Sequence, residues 1–327
     1  MNKQSKGGRD PALSLCQIAP AFELFTFQSE LHMTTIFRSA INWLLYLLLL
    51  LPMAPATAQP AKRLADFLAP QAERSPLISA HRGGRFLPGY PENCLETFQH
   101  LAQQLPAIIE FDIRLSADSV LFLLHDETLE RTTNGSGMAN VKTWEELRVL
   151  RLLDDFGELT PYRLPLLSEV LAWSKGRAPL TLDVKRGVPF ERVVAAVRAA
   201  EAEDYAAIIT YNLPDALTVH RLAPELMISV NIRNDDELQA YLDCGIPHDR
   251  LIAFTGLQQR SSEFYAALRR HGIPSIIGTM GNLDNKAKAR GPHVYRELFL
   301  AGADIFATDW PREAWEALQP LREAGGR

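Results

Sequence analysis

Cysteine is scarce in this chain of 327 residues; three occur, Cys16, Cys94 and Cys244. No Cys-x-x-Cys pair or Cys/His array is present, so the ligand spacing of a structural zinc site is missing. Basic charge is not in excess either. Lys and Arg number 34 against 39 Asp and Glu, a formal net charge of −5. That balance leaves no electrostatic footprint for nucleic acid or for an anionic membrane surface. No run of like charge marks a disordered tail, and no internal repeat marks a solenoid. Long apolar runs are lacking too. The one conspicuous run, 41–52 (INWLLYLLLLLP), falls below the ~18–20 residues that cross a bilayer. With 47% hydrophobic and 22% charged residues, what remains is the composition of a globular protein.

The short apolar run reads instead as the core of a signal peptide. Arg38 supplies positive charge before it, and Ala56-Thr57-Ala58 after it is a small-x-small cleavage site. Met33 is a natural start for such a peptide. Residues 1–58 are therefore expected to be an upstream extension plus signal peptide, cleaved after Ala58, with a single domain over 59–327. The alternative is an uncleaved anchor. Export to the periplasm or the medium follows, with no stable membrane insertion after cleavage. No cysteine closely follows the run, which disfavours a lipid anchor. Cys94 and Cys244 would survive cleavage; they could form one disulfide, but two buried free thiols on separate helices are the expectation.

From Gln59 onward, short β-branched runs alternate with amphipathic helical runs. Nine candidate strands stand out: Leu77–Gly83, Ile108–Leu115, Val120–His125, Leu180–Lys185, Ala207–Tyr211, Met227–Ile232, Leu251–Phe254, Ser275–Thr279 and Asp304–Thr308. Nearly continuous hydrophobicity indicates strands buried on both faces. Helical runs lie between them, for example Phe190–Glu203, Leu213–Leu222 and Asp235–Cys244. Repeated βα units over about 250 residues predict an α/β fold, a (β/α)8 TIM barrel. A doubly wound open sheet is disfavoured, since no Gly-rich dinucleotide fingerprint follows the first strand. The surplus strand lies at 108–125, where a four-residue gap is too short for a parallel crossover. These two segments should form a hairpin, either of them the barrel strand proper, so that a hairpin and loop excursion is inserted after the second strand; the loop-rich stretch Asn134–Pro165 is a candidate lid. A two-residue turn at Asp118-Ser119 would place Asp112 directly opposite His125, with Glu110 on the same face. A one-residue slip would send His125 to the other face.

The chemistry-bearing residues cluster at predicted strand ends, where barrel active sites form. His81-Arg82-Gly83 closes one strand, pairing a group that transfers protons near neutral pH with a fork matched to phosphate oxygens. Glu110 and Asp112 share a strand face inside an apolar run. Two buried carboxylates require neutralisation, which a hard divalent cation supplies. His125 follows another apolar run. Asp183 can complete a carboxylate cage, and Lys185 can hold a phosphate as a point charge. Read singly, each is open to a plainer account: a capped strand, solvated carboxylates, a core histidine, a surface Asp–Lys pair. Packing alone does not require the whole set at the strand ends of one barrel.

In order, His81-Arg82-Gly83, Pro91-Glu92-Asn93, Ile109-Glu110-Phe111-Asp112, Leu123-Leu124-His125-Asp126, Leu129–Gly135, Asp183-Val184-Lys185 and Ala303–Pro311 resemble the glycerophosphodiester phosphodiesterase family. The resemblance covers nearly all of 77–311. It implies a barrel, one divalent cation (Ca2+ or Mg2+) and hydrolysis of a small-molecule phosphodiester to glycerol 3-phosphate and an alcohol. It assigns acid–base work to His81 and His125, with His81 as base and His125 as acid, or the reverse. It assigns the metal to Glu110, Asp112 and Asp183, and the substrate phosphate to Arg82 and Lys185. Glu92 would support the site from behind, and Asn93 would cap the next helix. Two departures stand out. The family usually has Glu where Asp183 stands, and a Trp-Thr-x-Asn-like segment where this chain has Ile277–Asn282. A bulkier lipid or polymer phosphodiester is the alternative substrate, and a non-catalytic binding barrel is the third possibility.

Overall fold

Short aliphatic runs become strands here because helices and lumen cover both of their faces. The computed structural model describes residues 63–68 and 74–325. The leader expected at 1–58, with Met33, Cys16 and the Ala58 cleavage site, lies outside the described residues. The strands are β1 (Leu77–Ala80), β2 (Ile108–Leu115), β3 (Leu121–Leu123), β4 (Arg151–Leu153), β5 (Leu159–Arg163), β6 (Leu180–Val184), β7 (Ala206–Ile209), β8 (Met227–Asn231), β9 (Leu251–Phe254), β10 (Ser275–Gly278) and β11 (Ile305–Thr308). β1, β2 and β6 to β11 pair in parallel, and the β1–β2 and β1–β11 ladders close them into an eight-stranded barrel. Helices wrap the outside, so the fold is a (β/α)8 barrel.

Strand alternation sorts the side chains. On β2, Ile109, Phe111 and Ile113 pack outward under the helices. Ile108 faces the lumen with Ile252, Ile276 and Ile305. The period of two therefore sends Glu110 and Asp112 into the lumen above Ile108. The short helix Leu64–Leu68 adds Leu64 and Leu68 to that lumenal cluster, and its Leu64 amide donates to Asp204 just before β7. The apolar layer thus lies toward the N-terminal ends of the strands and the polar layer toward their C-terminal ends.

β2 pairs with β6 along one edge and shares its other edge between two partners. Its first half pairs with β1 (Ser79↔Ile108, Ala80↔Ile109), and its last three residues pair antiparallel with β3. Hence β2 is the barrel strand and β3 is its appended hairpin partner. The hairpin register differs by one residue from the two-residue turn expected at Asp118-Ser119. Ile113 faces Leu123, and the Leu124 amide donates to the Asp112 carbonyl. Ser119 takes the left-handed conformation (φ 67), and Ser116 Oγ accepts from the Val120 amide. The turn is therefore three residues long, and Asp118 is held by Ser116 and by the Trp144 amide. Asp112 accordingly faces Leu124, not His125.

The excursion after β3 is more ordered than a loop. It contains the turns of helix Ala139–Val141 and Trp144–Leu147 and the antiparallel hairpin β4–β5. Leu129, Ala139, Leu147, Leu152 and Leu164 form its own apolar core against Phe122. Cys94 and Cys244 are free, the first buried and the second half-buried. Among the described residues, no helix is long and apolar enough to cross a membrane.

Candidate active site

Three carboxylates meet at the barrel mouth because two neighbouring strands are in register. Asp112 of β2 pairs laterally with Asp183 of β6, and Glu110 lies one lumenal step deeper. Each offers an oxygen within 4.8 Å of the others, and all three are buried. Lys185 Nζ lies 2.6 Å from both Asp112 Oδ1 and Asp183 Oδ2. Asp112 has further support. Asn93 Nδ2 donates to its Oδ2 at 2.7 Å, and Asn93 Oδ1 accepts its amide at 2.9 Å. Asn93 is thus not the helix cap expected from sequence. Its backbone is left-handed (φ 53), Cys94 occupies the cap position, and the amide side chain turns to Asp112.

The electrostatics follow from this packing. Burial, then the neighbouring Asp112, pushes Glu110 up to about 8. Burial also raises Asp183, with Lys185 pulling partly the other way. For Asp112 the burial effect is overcome by Lys185 and Arg82, which bring it down to about 2. Burial and the carboxylates' mutual repulsion thus oppose full ionisation of Glu110 and Asp183 beside Asp112. Asp183 Oδ1 is buried with no hydrogen-bond partner. An all-oxygen donor set with an unpartnered carboxylate oxygen fits a hard divalent cation.

The loop after β1 carries the first histidine. His81–Gly83 forms one tight turn in which Arg82 is left-handed (φ 55), and the Arg82 amide donates to Glu110 Oε2 at 2.8 Å. Gly83 makes the turn possible. At φ +82 a Cβ there would lie 2.3 Å from the Phe98 ring. Arg82 Nη1 bonds Glu92 at 2.9 and 3.1 Å, while its Nε lies 3.5 Å from Asp112 Oδ2 and makes no hydrogen bond. Glu92 also receives Arg85 and Arg131, so one buried carboxylate positions three guanidinium groups.

Both histidines have a carboxylate at Nδ1. His81 Nδ1 lies 2.6 Å from Asp309 Oδ1, and His125 Nδ1 lies 2.7 Å from Asp126 Oδ1. Burial works against the His81 imidazolium, but the Asp309 bond and Glu110 prevail and its pKa is raised. For His125 burial prevails over Asp112 and Asp126, and its pKa is lowered. β3 stops at Leu123, so strand alternation does not set the direction of His125; its partner Asp126 shares Arg131 with Glu92. Arg114 holds the His125 carbonyl through Nε and Nη2 at 3.1 and 2.6 Å.

A cleft opens at this mouth, lined by His81, Glu110 and Asp183 together with Tyr211, Phe254 and Met280. Arg82, Glu92, Glu110, Asp112, Asp183 and Lys185 are thus joined by direct contacts, His81 lines the same cleft as Glu110 and Asp183, and His125 is linked to Glu92 through Asp126 and Arg131. Sequence reasoning passed over Asp309, Asp126 and Tyr211. The first follows the last strand just as His81 follows the first, which is the signal that could have found it. The segment Ile277–Asn282 reaches the cleft through Met280 and then starts a helix, Asn282–Arg290.

Comparison with known proteins agrees with this geometry. The model of the glycerophosphoryl diester phosphodiesterase family matches residues 81–235. The crystal structure of a glycerophosphoryl diester phosphodiesterase from Parabacteroides distasonis superposes with a TM-score of 0.73 at 37% identity, covering 79% of this chain and 90% of that one. A glycerophosphodiester phosphodiesterase from Caldanaerobacter subterraneus subsp. tengcongensis is 31% identical over 161 residues, 47% of this chain. The match spans 65% of that enzyme's length, just under two thirds. YqiK, an uncharacterized protein of Bacillus subtilis, is 28% identical over 250 residues, 72% of this chain and 96% of that protein.

Proposed function

The chain belongs to the glycerophosphoryl diester phosphodiesterase family, and from that premise we propose that it hydrolyses glycerophosphodiesters to glycerol 3-phosphate and an alcohol. The observation that carries the reading is the pair of carboxylate-held histidines beside the three-carboxylate cluster. Glu110, Asp112 and Asp183 would hold one Ca2+ or Mg2+ ion. Bound there, the cation would help spread the charge that builds on the phosphoryl oxygens.

The chain's own groups divide the remaining work. Arg82 Nε faces the site without a partner and supplies a fixed donor for a phosphate oxygen. Lys185, once a cation shares Asp112 and Asp183 with it, is a second positive group for that phosphate. An Nδ1–H held by a carboxylate leaves Nε2 of each imidazole for substrate. His81 would take the proton of the attacking oxygen at Nε2, and His125 would give a proton from Nε2 to the leaving alkoxide. The attacking oxygen is either the neighbouring glycerol hydroxyl, giving a cyclic phosphate that water opens, or water itself. The reverse division of the two histidines uses the same contacts.

The test is hydrolysis of glycerophosphocholine and glycerophosphoethanolamine with calcium, magnesium or chelator present. Release of glycerol 3-phosphate that chelator stops supports the reading. Absence of turnover by folded protein with either cation sinks it. One observation favours a bulkier substrate as the second reading: Met138, Val141, Val149, Phe156 and Leu159 of the excursion are all exposed. An apolar fringe of this kind suits a lipid ester, and hydrolysis of vesicle lipid in preference to the soluble diesters would select it. We further place the reaction outside the cytoplasm, on the strength of the sequence of residues 33–58. Retention of the protein inside the cytoplasm would remove that placement, and an amino terminus other than Gln59 on exported protein would remove the cleavage after Ala58.

A further inference from the structure

One buried carboxylate lies outside the metal cluster and outside every step above. Asp284 stands in the first turn of helix Asn282–Arg290 and is 2% exposed. Its oxygens accept from Tyr295 Oη at 3.0 Å, from Thr308 Oγ1 at 3.0 Å and from the Asp309 amide at 3.0 Å. Its own amide donates to the Thr279 carbonyl at 2.7 Å, and the Thr279 amide donates to the Ala307 carbonyl at 2.7 Å. Thr308 Oγ1 in turn accepts the Trp310 amide. Asp284 therefore clamps the turn at the end of β11 from the neighbouring β10 side. That turn carries Asp309, whose carboxylate lies 2.6 Å from His81 Nδ1.

We infer that Asp284 is a positioning residue for the phosphodiester chemistry, acting through the Asp309 backbone on the orientation of His81. Burying a carboxylate is costly unless donors surround it. Two of the donors that surround this one belong to the residues that aim Asp309. An apolar side chain could fill the same space but would leave the Asp309 amide buried without an acceptor. A histidine that works on a bound substrate must be held within roughly 0.5 Å of its productive place by supporting contacts. A displacement of about 1 Å costs on the order of 10²-fold in rate.

The inference rests on the proposed activity for its kinetic readout, and the test adds one that needs no turnover. Wild type, Asp284→Leu, Asp284→Asn, Asp309→Asn and the double variant Asp284→Leu/Asp309→Asn are compared. For each, kcat and KM are measured on glycerophosphoethanolamine at saturating magnesium. Magnesium affinity is measured by calorimetry, and the His81 ring nitrogens by 15N NMR. Asp284→Leu is expected to lower kcat about 10–100-fold, with KM and magnesium affinity little changed. The His81 nitrogen shifts should move from a fixed tautomer toward an average. Asp284→Asn should recover most of the rate, because its amide oxygen can still accept the Asp309 N–H. The double variant should be no slower than Asp309→Asn alone, as expected for residues acting in series. Losses that multiply in the double variant, or an Asp284→Leu protein with unchanged kcat and His81 shifts but lower Tm, would overturn the inference. If Asp284→Leu does not fold, Thr308→Val removes one clamp contact and must shift the His81 nitrogens in the same direction. If wild type shows no turnover, the nitrogen shifts alone decide the positioning role.

Discussion

At the residue scale, the site depends on carboxylates that differ in what neutralises them. Asp112 has Lys185, Arg82 and Asn93, whereas Asp183 Oδ1 has no partner. Asp183→Asn should therefore weaken divalent-cation affinity by at least about tenfold, measured by calorimetry, while Asp183→Glu keeps the charge and retains binding. Equal affinity for wild type and Asp183→Asn would remove Asp183 from the ligand set. Gly83 is constrained by both its backbone and its space. Gly83→Ala should cost about 1–3 kcal/mol, combining left-handed strain with overpacking against Phe98, read from denaturant unfolding. The sequence displays these residues well because strand parity and position past strand ends depend only on the order of residue types. It does not display Asn93's role, since the left-handed turn that swings its side chain onto Asp112 leaves no pattern of polarity.

At the scale of elements, the barrel strands were legible and the turns were not. Runs such as Ile108–Leu115 and Leu180–Val184 are buried on both faces, and that condition is written in their composition. β4 and β5 escaped notice for the opposite reason. The burial pattern of β5 leaves only Thr160 fully buried, and Pro161 inside it argues against a strand. The β2–β3 register turns on a single residue, Ser119, which adopts φ 67 without being glycine. A polar residue there gave no sign that the turn would be three residues long. Ser119→Gly should relieve the left-handed strain and leave stability unchanged or higher by about 0.5 kcal/mol. A loss of more than about 1 kcal/mol would show that the serine side chain supports the turn.

At the scale of the whole molecule, the closed barrel brings β1, β2, β6 and β11 to one mouth, although they are far apart in sequence. Repeated βα units announced that closure; the pairing of His81 with Asp309 required it. The carboxylate cluster makes global stability depend on pH and cation together. Glu110 is raised from 4.5 to about 8, chiefly by burial. Between those values the folded state binds more protons at this group than the unfolded state, so its contribution to stability falls as pH rises. For Asp112, lowered to about 2, the contribution is present above its unfolded pKa of 3.8 and is lost as pH falls through 2. In chelator, Tm should decline between about pH 5 and pH 8. Calcium or magnesium at 100 times its pH 8 Kd should raise stability by about 2.7 kcal/mol at pH 8, and the same concentration should give a smaller gain at pH 5. A cation effect independent of pH would contradict the coupling to Glu110.

The central claim is that two histidines divide proton transfer on one phosphodiester, and leaving-group chemistry tests it most directly. Wild type, His81→Ala and His125→Ala are compared on glycerophosphoethanolamine and on a nitrophenyl glycerophosphodiester, whose phenolate departs without protonation. On the natural-type diester both variants should lose about 10²–10⁴-fold in kcat. On the nitrophenyl ester one variant, the one that lacks the acid, should recover most of its rate while the other stays slow, and which of the two recovers assigns the acid to His125 or to His81. Equal losses for both variants on both substrates, or no loss in either, would contradict the division of labour.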